Sequence, residues 1–281
     1  MLTIGQYYKL KVMDKSFGFL YLDAANLGAA KLSHKDSREV FEIGDEADVF
    51  LYEDSKSELR ATTKSVPTVG QIAYLPLKSM TEIGAFMDWG LDKDLYVPLA
   101  EQHRPFEDDK SYLVYLYLDK VNGRITASSK INKFITDFPD ADEYKVGQEV
   151  HLIIGNTTDI GFKAVINNIH WGVLYNNEVF QQLSFGQSLK GYIKNIREDR
   201  RIDLILQQPL HKALDQNASM IETYLNDNNG FAPFNDKSNP AAIKSTFGIS
   251  KAVFKKSLGS LYKNKIIVIK DDGIYLTSKI S

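Results

Sequence analysis

The sequence predicts a mainly β chain with a C-terminal α+β domain: three small five-stranded barrels in tandem, then a helical region closed by a hairpin. Three observations carry this. The opening Ile4-Gly5-Gln6 returns as Val69-Gly70-Gln71 and Val146-Gly147-Gln148. Each opening leads into about sixty residues of short runs with period-two alternation, the strand signature. From about His211 the period becomes helical.

The repeats run in parallel. Each opening is followed by a β-rich run, such as Tyr7–Val12 or Val150–Ile154. A glycine-centred element follows: Phe17-Gly18-Phe19-Leu20, Ile83-Gly84-Ala85-Phe86, Ile160-Gly161-Phe162-Lys163. The glycine reads as a bend inside the second strand, because strand interiors accept Gly poorly elsewhere. Two strands close each unit, for example Leu189–Lys194, a loop from Arg197 to Arg200, then Ile202–Leu206. Five short antiparallel strands remove most open edges by curling into a barrel, so the units are OB-like. The divisions are 1–64, 65–140 and 141–210, with the last domain at 211–281.

In that last domain Leu214, Ala218, Ile221 and Leu225 keep helical spacing until Asn228-Asn229-Gly230. Ser238-Asn239 before Pro240 predicts an N-cap, and a short helix runs to Phe247. Gly248-Ile249-Ser250 turns the chain into a third helix with Phe254, Leu258, Leu261 and Tyr262 on one face. Ile266–Lys270, the turn Asp271-Asp272-Gly273 and Ile274–Thr277 form a hairpin. Helix, helix–turn–helix and a two-stranded wing describe a winged helix.

Composition narrows the function classes. The 281 residues include no cysteine, which excludes disulfides, thiolate metal sites and cysteine nucleophiles. No basic-then-apolar leader opens the chain and no apolar run approaches 18 residues, so the cytoplasm is the expected compartment and no membrane is a partner. The five histidines are scattered, no Walker loop or nucleophile elbow is present, and neither cofactor nor metal is expected; the chain reads as a non-enzyme. His170-Trp171 reads as a turn-borne Trp packed on a barrel. Net charge is −2, but 1–140 carry 17 Lys/Arg against 22 Asp/Glu, 141–210 carry 7 against 8, and 211–281 carry 10 against 6. Polyanion affinity should therefore concentrate toward the C-terminus.

These features resemble the conserved virulence factor B (CvfB-like) family, bacterial RNA-binding regulators with S1-type barrels and a C-terminal winged helix. The resemblance rests on Val146–Gln207 and on Pro240-Ala241-Ala242-Ile243, Phe247-Gly248-Ile249-Ser250-Lys251, Leu261-Tyr262 and Asp271-Asp272-Gly273-Ile274. It implies virulence-related gene regulation and an aromatic binding face on each barrel. The matches to that face are partial. Phe17 fits in the first barrel and Phe86 in the second, as weak accessory positions; Ile160 and Lys163 hold those places in the third, with Tyr175 on the next strand.

Single-stranded nucleic acid needs cations for phosphates and flat side chains for unstacked bases. Lys190, Tyr192 and Lys194 alternate on one strand, so they share a face. Arg197, Arg200 and Arg201 crowd the following loop. Phe162 and Lys163 face opposite ways, so if Lys163 joins the face, Phe162 is core. An ordinary solvated strand face stands as the alternative. Lys251, Lys255 and Lys256 sit opposite the apolar side of the third helix, with Lys263 at its end. Lysine is a point charge without a bidentate fork, which favours phosphate attachment over base readout in a duplex groove, and the wing tip is acidic. The first two barrels carry acidic clusters (Glu39, Glu42, Asp45; Glu107-Asp108-Asp109), and their aromatics alternate as core residues do. The expected function is post-transcriptional regulation through single-stranded RNA held by barrel 3 and the winged helix, which the short link Gln207-Gln208-Pro209-Leu210 would join into one cationic surface. The alternatives are a winged-helix DNA-binding transcription regulator, with duplex DNA the weaker partner, and a scaffold contacting ribosome or RNA-decay proteins.

Overall fold

The computed structural model describes residues 1–140, 142–206 and 210–277, with side chains described from residue 216 onward in the last stretch. The predicted link at 207–209 and the Leu214 side chain lie outside the described residues. Three closed five-stranded barrels come first. Barrel 1 comprises β1 (Tyr7–Ser16), β2 (Phe19–Asp23), β3 (Ala29–Ser33), β4 (Glu46–Glu53) and β5 (Leu59–Thr62). Barrel 2 comprises β6 (Ile72–Met80), β7 (Gly84–Met87), β8 (Leu95–Pro98), β9 (Ser111–Leu118) and β10 (Ile125–Ser128). Barrel 3 comprises β11 (Glu149–Thr158), β12 (Gly161–Ile166), β13 (His170–Tyr175), β14 (Ser188–Ile196) and β15 (Ile202–Ile205). All three close in the same cyclic order, first strand to second, third, fifth, fourth and back to the first.

The repeated openings have a common physical cause. Gly5, Gly70 and Gly147 all have positive φ, between 78° and 95°, and each N–H donates to a carbonyl of its barrel's fourth strand: Leu51, Leu116 and Ile193 at 2.7–2.8 Å. The glutamine carbonyl that follows accepts from the N–H of that same residue at 2.9–3.1 Å. A side chain at the glycine would strain the left-handed turn that brackets first strand to fourth.

The sequence predicts that the middle glycines bend strand interiors; the structure places them elsewhere. Gly18 lies in the β1–β2 turn with Phe17, both at positive φ, while Gly84 and Gly161 open β7 and β12. A Cβ at Gly161 would stand 1.9 Å from the Leu174 carbonyl oxygen, and one at Gly84 2.4 Å from that of Val97; close approach of the neighbouring strand excludes it. The bending is done in the first strands, each of which shifts register before its hairpin, at Val12/Asp14, Leu77/Ser79 and Ile154/Thr157. Bulges of this kind sharpen twist and let short strands curl.

The aromatics of β4 are not barrel-1 core. Ala47, Val49 and Leu51 point into barrel 1, whereas Phe50 and Tyr52 face outward and are buried with Trp89, Leu91 and Phe106 of the barrel 2 region. Phe50 meets the Trp89 ring edge-on at 5.9 Å. The Tyr7 hydroxyl donates to the Lys64 carbonyl and accepts from Val66 N–H at 2.7 Å, tying down the connection between the two barrels. Barrel 3 packs on barrel 2 through Ile72, Leu113, Ile135, Ile153, Val165 and Trp171. Trp171 sits on strand β13, not on a turn, and its Nε1 donates to Asn132 Oδ1 at 2.9 Å.

The last domain has α1 (Leu210–Asp227), α2 (Pro240–Phe247) and α3 (Lys251–Lys263), with β16 (Phe231–Ala232), β17 (Ile267–Lys270) and β18 (Gly273–Leu276) ordered β16-β18-β17. Asn239 caps α2 by accepting from Ala241 N–H, Ser250 caps α3 through Val253 N–H, and left-handed Gly248 ends α2. The core gathers Ile221, Leu225, Phe234, Phe247, Phe254 and Leu258. The sequence read Phe231–Phe234 as a connection; Phe231–Ala232 is instead a third strand beside the wing. No helix among the described residues is long and apolar enough to cross a membrane.

Candidate nucleic-acid interface

Strand β14 places Lys190, Tyr192 and Lys194 on one face: the two lysines are exposed and Tyr192 is half-buried, while Gly191 and Ile193 between them are buried. The neighbouring Glu149 carboxylate sits in this face, 2.9 Å from Lys190 Nζ and 3.3 Å from the Tyr192 hydroxyl that donates to it. Its hydrogen bond and charge hold the Lys190 ammonium above the usual lysine range. The face is thus a lysine–tyrosine platform with its own internal anion.

After β14 the arginines pair with rings. Arg197 donates from Nη2 to the Tyr175 hydroxyl, and its guanidinium carbon lies 5.9 Å from that ring's centroid. Arg200 and Arg201 both approach the Phe138 ring, at 5.9 and 5.8 Å, and Phe138 is 44% exposed. Guanidinium over an aromatic face is a favourable arrangement that presents charge and a flat surface together. Sequence reasoning found the arginines and Tyr175 but missed Phe138. Its signal, an aromatic isolated between strands at Asp137-Phe138-Pro139, is visible only once the fold brings it to the loop.

Lys163 does not stand on the same kind of surface. Its Nζ lies 4.6 Å over the Trp171 ring and 3.3 Å from Asp137, so it braces the junction with barrel 2. Phe162, on the opposite side of β12, is half-buried rather than sealed in the core. Phe17 sits at the tip of the β1–β2 turn, 94% exposed, and Phe86 packs against Tyr96 at 5.3 Å on barrel 2.

In the winged helix, the side of α3 away from the core carries Ala252, Lys255, Lys256, Gly259, Tyr262 and Lys263, all exposed; Lys251 at its start is half-buried. Lys255 has a loose ion pair with Asp236 at 3.8 Å. The wing turn is acidic: the Tyr275 hydroxyl donates to Asp272 at 2.5 Å, and Lys237 stands 3.7 Å from Asp271.

Two family models fit this architecture. Residues 219–276 match the CvfB-like winged helix domain, and residues 4–64, the first barrel, match the S1 domain. Over 92% of its length the chain is 29% identical to the uncharacterized protein YitL of Bacillus subtilis, covering 89% of that protein. It is 27% identical to Conserved virulence factor B of Staphylococcus epidermidis and 28% identical to that of Staphylococcus aureus, in both cases over 98% of this chain and 95% of the relative. A solved structure described as a multidomain protein with nucleic acid binding domains, from Streptococcus pneumoniae, is 27% identical over 97% of this chain and 98% of its own, with a TM-score of 0.41.

Proposed function

Starting from a chain that carries an S1 domain and a CvfB-like winged helix domain and is similar end to end to proteins named Conserved virulence factor B, we propose that it is a non-catalytic nucleic-acid-binding regulator acting on single-stranded RNA after transcription. The observation that carries the reading is the β14 face, where Tyr192 lies between exposed Lys190 and Lys194. Bases stack on the tyrosine while the lysines follow the phosphates. Tyr175 with Arg197, and Phe138 with Arg200 and Arg201, offer a second set of cations and rings of the same chemistry. Lys251, Lys255, Lys256 and Lys263 of the winged helix add phosphate contacts, so that two modest sites on one chain act with raised effective concentration.

The test is a titration of the full chain with single-stranded RNA, duplex RNA and duplex DNA at two salt concentrations. Single-stranded RNA should bind tightest, and four phosphate contacts give a log–log salt slope of about −2.8. Tyr192→Ala should weaken binding at unchanged slope, and Lys194→Ala should flatten the slope. Tightest binding to duplex DNA would instead favour the exposed Ala252/Gly259 stripe of α3 as a groove-reading surface and overturn the RNA reading. Negligible affinity for all three nucleic acids would leave a protein-binding scaffold.

A further inference from the structure

The cleft where barrels 2 and 3 meet holds about 590 Å3, within the roughly 300–1,000 Å3 of small-molecule sites. Its cations are Arg104, Lys130 and Lys133, with His103 beside them, and no Asp or Glu is among its lining residues. Lys133 is fixed by Glu101 at 2.7 Å and Lys130 by the Ala100 carbonyl at 2.7 Å. Arg104 is exposed and makes no ion pair among the described residues.

Barrel 3 supplies the other wall. Trp171 is clamped there by Asn132 on its Nε1, by Lys163 over its ring, and by Gly155 beneath, where a Cβ would come within 3.0 Å of the indole. Phe185, 43% exposed, stands beside it, braced edge-on by Tyr74 at 5.5 Å. Ser111, Ser129 and Asn156 add hydrogen-bonding groups to the lining. Cations on one side, the exposed Phe185 ring on the other and neutral polar groups between are what a phosphate, a base and its edges require.

We infer that this cleft binds a nucleotide unit, its phosphate at Arg104, Lys130 and Lys133 and its base stacked on the exposed Phe185 ring, beside the buried Trp171. The unit is either one residue of an RNA strand or a free mononucleotide. The strand case rests on the nucleic-acid reading above; the free-nucleotide case does not.

The chain has two tryptophans, Trp89 and Trp171, so Trp89→Phe leaves Trp171 as the only indole reporter. That full-length variant is titrated with a single-stranded oligoadenylate and, separately, with AMP. Either ligand should quench Trp171 emission, and adding Arg104→Glu should raise its half-saturation concentration about tenfold, the scale of one lost charged hydrogen bond. Quenching by the oligomer alone assigns the cleft to a strand; quenching by AMP as well assigns it to a free nucleotide. No quenching by either, or no response to Arg104→Glu, overturns the inference. If Trp89→Phe fails to fold, Trp171→Phe in the native chain replaces it: ligand quenching that persists without Trp171 overturns the inference, and quenching that disappears supports it. Should the cleft fail while Tyr192→Ala still weakens RNA binding, the β14 reading stands alone. A dead Tyr192 effect with an Arg104-dependent signal gives the reverse.

Discussion

At the scale of single residues, Glu149 is the most informative. Its carboxylate contacts both Lys190 and Tyr192, the groups proposed to meet RNA. A phosphate arriving at Lys190 must compete with it. Glu149→Gln should therefore tighten single-stranded RNA binding a few-fold and steepen the salt slope by about 0.7, one phosphate contact; weaker binding would mean that the carboxylate orients the pair instead. His170 offers a pH test. Burial holds its imidazole below the ordinary 6.5, against the opposing pull of Glu143 and Asp140. The folded state then binds fewer protons than the unfolded one between that lowered value and 6.5, so its contribution is present above pH 6.5 and is lost as pH falls through the window. Urea midpoints at pH 7.5, 6 and 5 should decline less steeply for His170→Asn than for the native chain; parallel declines would remove His170 as a cause. The sequence made the β14 face legible because alternation on one strand fixes which side chains share a side. It hid Glu149, which reaches that face from a different strand about forty residues away.

At the scale of elements, the repeat was legible and one of its meanings was not. The opening Gly-Gln pairs were readable as a recurring signal, and their uniform hydrogen bonds to the fourth strand explain why they recur. The middle glycines were read as strand bends, whereas Gly84 and Gly161 are held by close approach of the next strand and Gly18 by its turn. Spacing alone does not separate these causes. They make different predictions: Gly161→Ala forces a Cβ into the Leu174 carbonyl and should cost about 1–3 kcal/mol, while Gly18→Asn keeps a residue tolerant of the turn and should cost well under 1 kcal/mol. Chemical denaturation of the two variants checks the contrast, and equal losses would refute it. The winged helix was the easier element to read, because Asn239, Ser250 and Gly248 are local capping signals. The two-residue strand β16 carries no such signal and exists only through its pairing with β18.

At the scale of the whole molecule, outward aromatics of the barrels serve as joints. Period-two alternation identifies the face of β4 that fills barrel 1, but Phe50 and Tyr52 on its other face are buried as well. A strand covered on both sides loses the polar half of its pattern, which is why these rings were read as core of their own barrel. The cleft between barrels 2 and 3 escaped for a related reason: Arg104, Lys130, Asn156, Trp171 and Phe185 come from five separate stretches, and the acidic run Glu107-Asp108-Asp109 dominates the local composition. If the joints are structural, damage at one should be felt by both barrels it connects. Phe50 is fully buried against Trp89, so Phe50→Ala should cost about 3–5 kcal/mol. Hydrogen exchange followed by barrel should show protection falling in β6–β10 as well as in β1–β5, with barrel 1's inward residues Val49 and Leu51 untouched by the substitution itself. Loss confined to barrel 1 would mean that the barrels are stable separately and that the aromatic joint only sets their spacing.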